Sequence, residues 1–244
     1  MLSNTSLFNV LAISASTSLC SVVLETPDQR YEWKTTDSNR HSEQLLPAVQ
    51  QLLNQAGITS LKSNDFIAVD IGPGSFTSVR IACSIVQGLA FGWGCQVVAV
   101  ESLTALVHQY LLHNTITTPV YIMAVIDARM NEYYAAQYYC DINVFLQQVA
   151  VPMLIPYEFK SLDIYQQSNI LISNVVDIAL NNVQVSSATH NKAIVQSSPL
   201  AIGVLIAAKI YIQQGLHFSY IDQLQPLYVR NQVALTTLER ALIK

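Results

Sequence analysis

The sequence predicts an α/β chain folded as two lobes, and three observations carry that prediction. Strand-like and helix-like stretches follow one another as β-β-β-α-β-α-β-α through the first half of the chain. A meander followed by β-α units implies a sheet with helices packed against it. Next, "DFIAVDIG" at residues 65–72 is almost continuously apolar, as expected of a central strand covered on both faces. Finally, strand patterning starts afresh near residue 119. The 244 residues therefore divide into an N-terminal lobe at 1–104 and a C-terminal lobe at 105–244, each long enough to bury its own core.

The elements follow in order. "FNVLAIS" (8–14) and "LCSVVLE" (19–25) are β-rich and joined by "ASTS", which makes a first hairpin. "RYEWK" (30–34) alternates polar and aromatic residues, as an edge strand does. From Ser42 to Gln55, Leu45, Val49 and Leu52 form one apolar row with Leu46 and Leu53 beside it, giving an amphipathic helix that ends near Gly57. Pro47 removes one backbone donor, so it should kink this helix or sit within its first turns. Ser75 is a candidate N-cap for a helix over Phe76 to Phe91, with Val79, Cys83, Val86 and Ala90 on one face. "QVVAV" (96–100) is a buried strand, and Ser102 is placed to cap the helix that carries Leu103, Leu106, Val107, Tyr110 and Leu111.

In the second half, "PVYIMAVID" (119–127) and "EYYAAQYYC" (132–140) flank "ARMN" as a hairpin. "VFLQQVAV", "NILIS" and "KAIVQ" are short strand candidates. A helix over Ser198 to Gln214 has Pro199 in its first turn, and the tail "PLYVRNQVALTTLERALIK" reads as an extended piece and a terminal helix that could pack back on the N-terminal lobe.

Composition excludes several classes. The chain is 51% hydrophobic and 11% charged, against roughly 25% charged in an average domain. That excludes disorder and fits either a large core or an apolar surface covered by a partner. With a net charge of −4, 12 basic residues and no Lys/Arg run, the chain lacks the basic stripe of a protein that holds nucleic acid by itself. Cys20, Cys83, Cys95 and Cys140 are far apart and make no metal-ligand spacing. "LFNVLAISA" has no basic lead-in, and the apolar run "PLAIGVLIAA" stops at Lys209, so it reads as a buried helix and the chain as cytoplasmic, with no membrane contact.

The glycine turn "GPGSFT" (72–77) leads from a strand into a helix, the layout of many phosphate sites. A Walker A loop needs a lysine for the terminal phosphates, and none follows Gly72 or Gly74. A dinucleotide loop needs a third glycine where Thr77 stands. What remains is a helix start with amides at Gly74 and Ser75 able to hold an anion weakly, or two glycines and Pro73 that only shape a corner. His41, His108, His113, His190 and His217 show no ligand spacing, and no G-x-S-x-G elbow occurs. Asp70 and Asp127 sit beside turns and read as structural. No catalytic or metal residue is assigned.

Three segments, "HSEQLLPAVQQLLNQAG", "DFIAVDIGPGSFTSVRIACSIVQGLAFG" and "VIDARMNEYYAA", with "PLYVRNQVA" near the end, resemble the bacterial TsaB (YeaZ) family of tRNA threonylcarbamoyladenosine biosynthesis proteins. The resemblance implies a two-lobed actin/Hsp70/sugar-kinase-like (ribonuclease H-like) fold. It also implies a non-catalytic subunit that dimerises with a TsaD-like protein, which modifies adenosine 37 of tRNAs reading ANN codons. A TsaE-like ATPase joins that assembly, and tRNA is met only through it. Apart from the resemblance, the apolar helices could let the chain alone pair with itself. No cofactor is implied for the isolated chain, with a nucleotide at the partner interface as an option. The family's interface maps onto the first two helices, here His41, Leu45, Val49, Leu52, Gly72, Pro73, Gly74, Ser75, Phe76, Val79, Arg80 and Cys83. The alternative is an actin-fold ATP-dependent phosphotransferase or an M22-type peptidase-like enzyme. Three departures stand out. Ser14 occupies the position of an acidic residue, Ser78 stands where the family has glycine, and residues 160–195 are polar and divergent. If position 78 faces a partner helix closely, a serine there would loosen or reshape the contact.

Overall fold

A computed structural model describes residues 8–37, 40–175, 192–215, 221 and 224–230. The first sheet contains β1 (Val10–Ser14), β2 (Cys20–Glu25), β3 (Arg30–Thr35), β4 (Phe66–Asp70) and β5 (Gln96–Val100), in the order β3-β2-β1-β4-β5. The first three strands form an antiparallel meander, and β4 and β5 run parallel to β1. β1 and β4 are buried along their whole length, which explains their unbroken apolar character. β3 alternates exposed and half-buried residues, as its sequence requires of an edge.

Helices α1 (His41–Gln55) and α2 (Phe76–Trp93) cover one face of this sheet. Leu45, Val49 and Leu52 of α1 and Val79, Cys83 and Val86 of α2 pack there with Leu11, Ile13, Val22, Ile67 and Val69. Pro47 lies inside α1 on its exposed side, so the backbone bond it removes faces solvent. α1 ends where Gly57 takes φ 68° and the Ile58 amide donates to the Leu53 carbonyl at 3.0 Å, a Schellman closure.

The other face of the sheet is covered by α5 (Ala201–Gln213) and part of α3 (Ser102–His113). Ala201, Val204, Leu205 and Ala208 of α5 meet Val10, Ala12, Phe66, Ala68 and Val98. The apolar run at 199–208 is thus a core helix of the first sheet, although it belongs to the C-terminal span of the chain. α5 follows Leu200, so Pro199 precedes the helix rather than occupying its first turn. Likewise Glu101, not Ser102, holds the N-cap position of α3. At the α3–α5 crossing, a Cβ on Gly203 would stand 2.1 Å from the Ala105 carbonyl oxygen, so only glycine permits this approach.

The second sheet runs β10-β9-β6-β7-β8, from β6 (Val120–Arg129), β7 (Glu132–Cys140), β8 (Leu146–Pro156), β9 (Ile170–Ser173) and β10 (Ala193–Gln196). Met130 and Asn131 join β6 to β7 with φ 57° and 61°, the positive pair of a type I′ turn. α3 presents Leu103, Leu106 and Val107 to Ile122, Ala124, Ile126 and Tyr138 of this sheet. It is therefore the element shared by both lobes. Phe159, in a 3₁₀ turn, and a short helix α4 (Asp163–Gln166) cover the opposite face, and neither is evident in the sequence. β8 is longer than the "VFLQQVAV" segment suggests. The expected terminal helix lies outside the described residues. No helix among the described residues is long and apolar enough to cross a membrane.

Candidate functional site

The glycine turn after β4 is closed by protein. Gly72 takes φ 100°, and its carbonyl accepts from the Ser102 amide at 2.7 Å. A Cβ on Gly74 would stand 2.2 Å from the Ser16 carbonyl oxygen, which shows how tightly the β1–β2 turn lies on this residue. The Ser75 amide donates to that same oxygen at 2.6 Å. The amide that the sequence offers to an anion at Ser75 is therefore already used by the β1–β2 turn. Ser75 holds the N-cap position of α2, but its hydroxyl donates to the Ser78 hydroxyl at 3.0 Å rather than to a backbone amide. Ser78 is 8% exposed. Its hydroxyl accepts from Ser75 on the inner side of the helix, so the condition of a close outer contact at this position is not met.

Beside the turn, Asp70 is fully buried. Its carboxylate accepts from the Ser14 hydroxyl at 2.7 Å and from the Ala15 amide at 3.3 Å. Burial pushes its carboxyl above the usual range, and the hydroxyl and amide donors only partly oppose this. An acid at position 14 would set two carboxylates side by side; Ser14 supplies a donor instead. A raised folded pKa means that the full stability is present below the ordinary carboxylate range and declines as pH rises through the folded value. Asp70→Asn is therefore expected to flatten that part of the stability–pH curve. Urea unfolding at a series of pH values checks this.

The outer side of α1 and α2 differs from the expected interface. Leu45, Val49, Leu52, Val79 and Cys83 are between 0% and 3% exposed and belong to the core. His41, Gly72 and Pro73 are buried as well. The apolar rows of these amphipathic helices are satisfied by the sheet beneath them, so they are not available to a partner. Phe76 and Arg80 are exposed, as a surface role requires. They are joined by Leu46, 49% exposed, and Phe91, 82% exposed. Sequence reasoning did not single out these two. The available signal was that both are large apolar residues off the sheet-facing row. A groove of about 400 Å³ runs between the helices, lined by Ser42, Phe76, Thr77, Arg80, Ile81, Ser84 and Ile85.

Between the lobes lies a cleft of about 920 Å³. Ser16, Thr17 and Ser18 of the β1–β2 turn, the glycine turn, His41 and Ser42 line one side. Asp127 to Arg129, Tyr134 and Asn174 line the other, and residues 226–230 cross its mouth. The Leu227 amide donates to Ile71 at 2.7 Å on the first lobe, and Arg230 reaches Glu132 at 2.5 Å on the second. Asp127 is held by the Arg129 amide at 2.9 Å and pairs with the Arg129 guanidinium at 3.5 Å, the structural role expected of a turn aspartate. No three His, Cys, Asp or Glu side chains cluster as metal ligands among the described residues. The four thiols are buried, and Cys20 and Cys83 are pushed up to about 12, chiefly by burial, which makes them poor nucleophiles.

Comparisons with known proteins agree with this fold. The family model for TsaD, tRNA N6-adenosine threonylcarbamoyltransferase, matches residues 35–156. TsaB of Haemophilus influenzae, a tRNA threonylcarbamoyladenosine biosynthesis protein, is 36% identical over 129 residues, covering 52% of this chain and 52% of its own length. The Escherichia coli TsaB is 37% identical over 134 residues, 55% of this chain and 56% of its own. The chain thus spans about half the length of the curated relatives it matches. YeaZ from Pseudomonas aeruginosa superposes with a TM-score of 0.74 at 27% identity, covering 91% of this chain and all of that one. A polyphosphate/ATP-glucomannokinase from Arthrobacter shares the fold alone, with a TM-score of 0.50 at 9% identity over 85% of this chain and 99% of that one. The fold is therefore the two-lobed actin and sugar-kinase type, and the chain belongs to the TsaB (YeaZ) family.

Proposed function

We propose that this chain is a non-catalytic subunit that binds a TsaD-type transferase and supports threonylcarbamoylation of adenosine 37 in tRNAs reading ANN codons. The observation that carries the reading is the closed glycine turn. Gly74 and Ser75, the residues the sequence offers to an anion, are packed on Ser16 instead, and Ser14 stands beside Asp70 as a hydroxyl where an acidic residue is expected. The outer side of α1 and α2, with Leu46, Phe76 and Phe91 exposed, supports a protein partner on that face. The net charge of −4 supports tRNA being reached through the complex rather than by this chain alone. A TsaE-like ATPase belongs to the same assembly, in the cytoplasm, and without its partner the chain is able to pair with itself through the same face.

Solution mass tests the reading. Mixing the chain with the TsaD-type transferase of the same organism should give a one-to-one complex, and the chain alone should show no turnover of Mg-ATP. Failure to form the complex, or ATP hydrolysis by the isolated chain, would overturn it.

A further inference from the structure

Arg80 is exposed on α2, at the rim of the groove and beside the strap formed by residues 224–230. Its guanidinium lies 3.7 Å from the Phe76 ring centroid and 5.4 Å from that of Tyr228. Its Nε donates to the Tyr228 hydroxyl at 2.8 Å. An arginine has five N–H donors in a rigid fork, and only Nε is used here among the described residues. The other described arginines are paired with acids: Arg30 with Glu25, Arg40 with Glu43, Arg129 with Asp127 and Arg230 with Glu132. Arg80 has no such partner among the described residues.

The guanidinium is also held in place. Tyr228 is fixed because the strap is fastened on both sides of it, by the Leu227 amide on Ile71 and by Arg230 on Glu132. Upstream, the Gln87 side chain donates to the Leu224 carbonyl at 2.9 Å. A cation already stacked and bonded loses little freedom when it meets an acid.

The charges on this face indicate what would complete it. α1 and α2 carry one carboxylate, Glu43, and Arg40 already holds it at 3.0 Å. A second copy of this chain, docked face to face, would bring Arg80 no acid from α1 or α2 beyond one that Arg40 already pairs. We infer that Arg80, clamped by Phe76 and Tyr228, receives a carboxylate from the partner protein, and that the 224–230 strap is thereby part of the partner-binding surface. This rests on the reading of the chain as a partner-binding subunit. An arginine between aromatic rings also suits RNA, but among the described residues no other basic side chain lines this groove, and the chain is acidic overall.

The test is titration calorimetry of the TsaD-type transferase of the same organism into the wild-type chain, Arg80→Met and Tyr228→Phe, each at low and high salt. Arg80→Met keeps the stem over Phe76 and removes the charge. It should weaken binding about tenfold and remove most of the salt dependence. Tyr228→Phe, which removes only the hydroxyl, should weaken binding about threefold. Equal affinity and equal salt dependence for wild type and Arg80→Met would overturn the inference and leave the proposed function standing. No wild-type complex at all would overturn the proposed function, and the inference with it. An Arg80→Met chain that binds the transferase normally but changes self-association, or lowers tRNA binding by the complex, would also overturn it.

Discussion

Val79→Glu is expected to destabilise the N-terminal lobe strongly rather than to weaken a contact selectively. Val79 is 3% exposed and packs with Val69, Val86 and Leu45 between α2 and the first sheet. An unpaired carboxylate there should cost about 4 kcal/mol, against about 5–15 kcal/mol for the whole stability of a typical domain. Leu46→Glu and Phe91→Glu should leave the urea midpoint close to wild type, since both side chains already face water. They should nevertheless block the complex. Urea unfolding of the three variants, read beside complex formation, separates the core side of these helices from the partner side. Equal loss of stability in all three would contradict the assignment.

Gly74→Ala has the next largest expected effect. Its methyl group would lie 2.2 Å from the Ser16 oxygen and 2.7 Å from the Ser16 Cβ, atoms of a buried turn with no flexible end to move aside. The β1–β2 turn must shift, and the bond from the Ser75 amide to Ser16 goes with it. A loss of about 3 kcal/mol is expected. Gly88→Ala is the control: it is exposed in the middle of α2 with nothing within 4 Å of an added Cβ. That change should raise stability by up to about 1 kcal/mol through helix propensity. Thermal melts of the two variants should therefore move in opposite directions.

The sequence revealed the elements better than the surfaces they present. β1 and β4 stand out because a strand covered on both faces has no polar alternation, and α1 and α2 because their apolar residues recur at helical spacing. The same spacing cannot say whether an apolar row meets a sheet or a partner, so the sequence leaves open which side Leu45, Val49, Leu52, Val79 and Cys83 face. The residues that do face outward, Leu46 and Phe91, break the periodic row and look like noise along the chain. The cleft mouth was hidden for a different reason. Tyr228 and Arg80 are 148 positions apart, and the strap is held by backbone bonds and side-chain ends that leave no local pattern. The contact of Gly74 with Ser16 is equally non-local, although the glycine itself marked the place.

A reconstituted threonylcarbamoylation assay on tRNA tests the central claim most directly, with the TsaD-type transferase supplied with no chain, wild-type chain or Phe91→Glu. Modification should depend on the wild-type chain and fall to the background level with Phe91→Glu, whose fold is intact. Full modification without the chain, or undiminished modification with Phe91→Glu, would contradict the account.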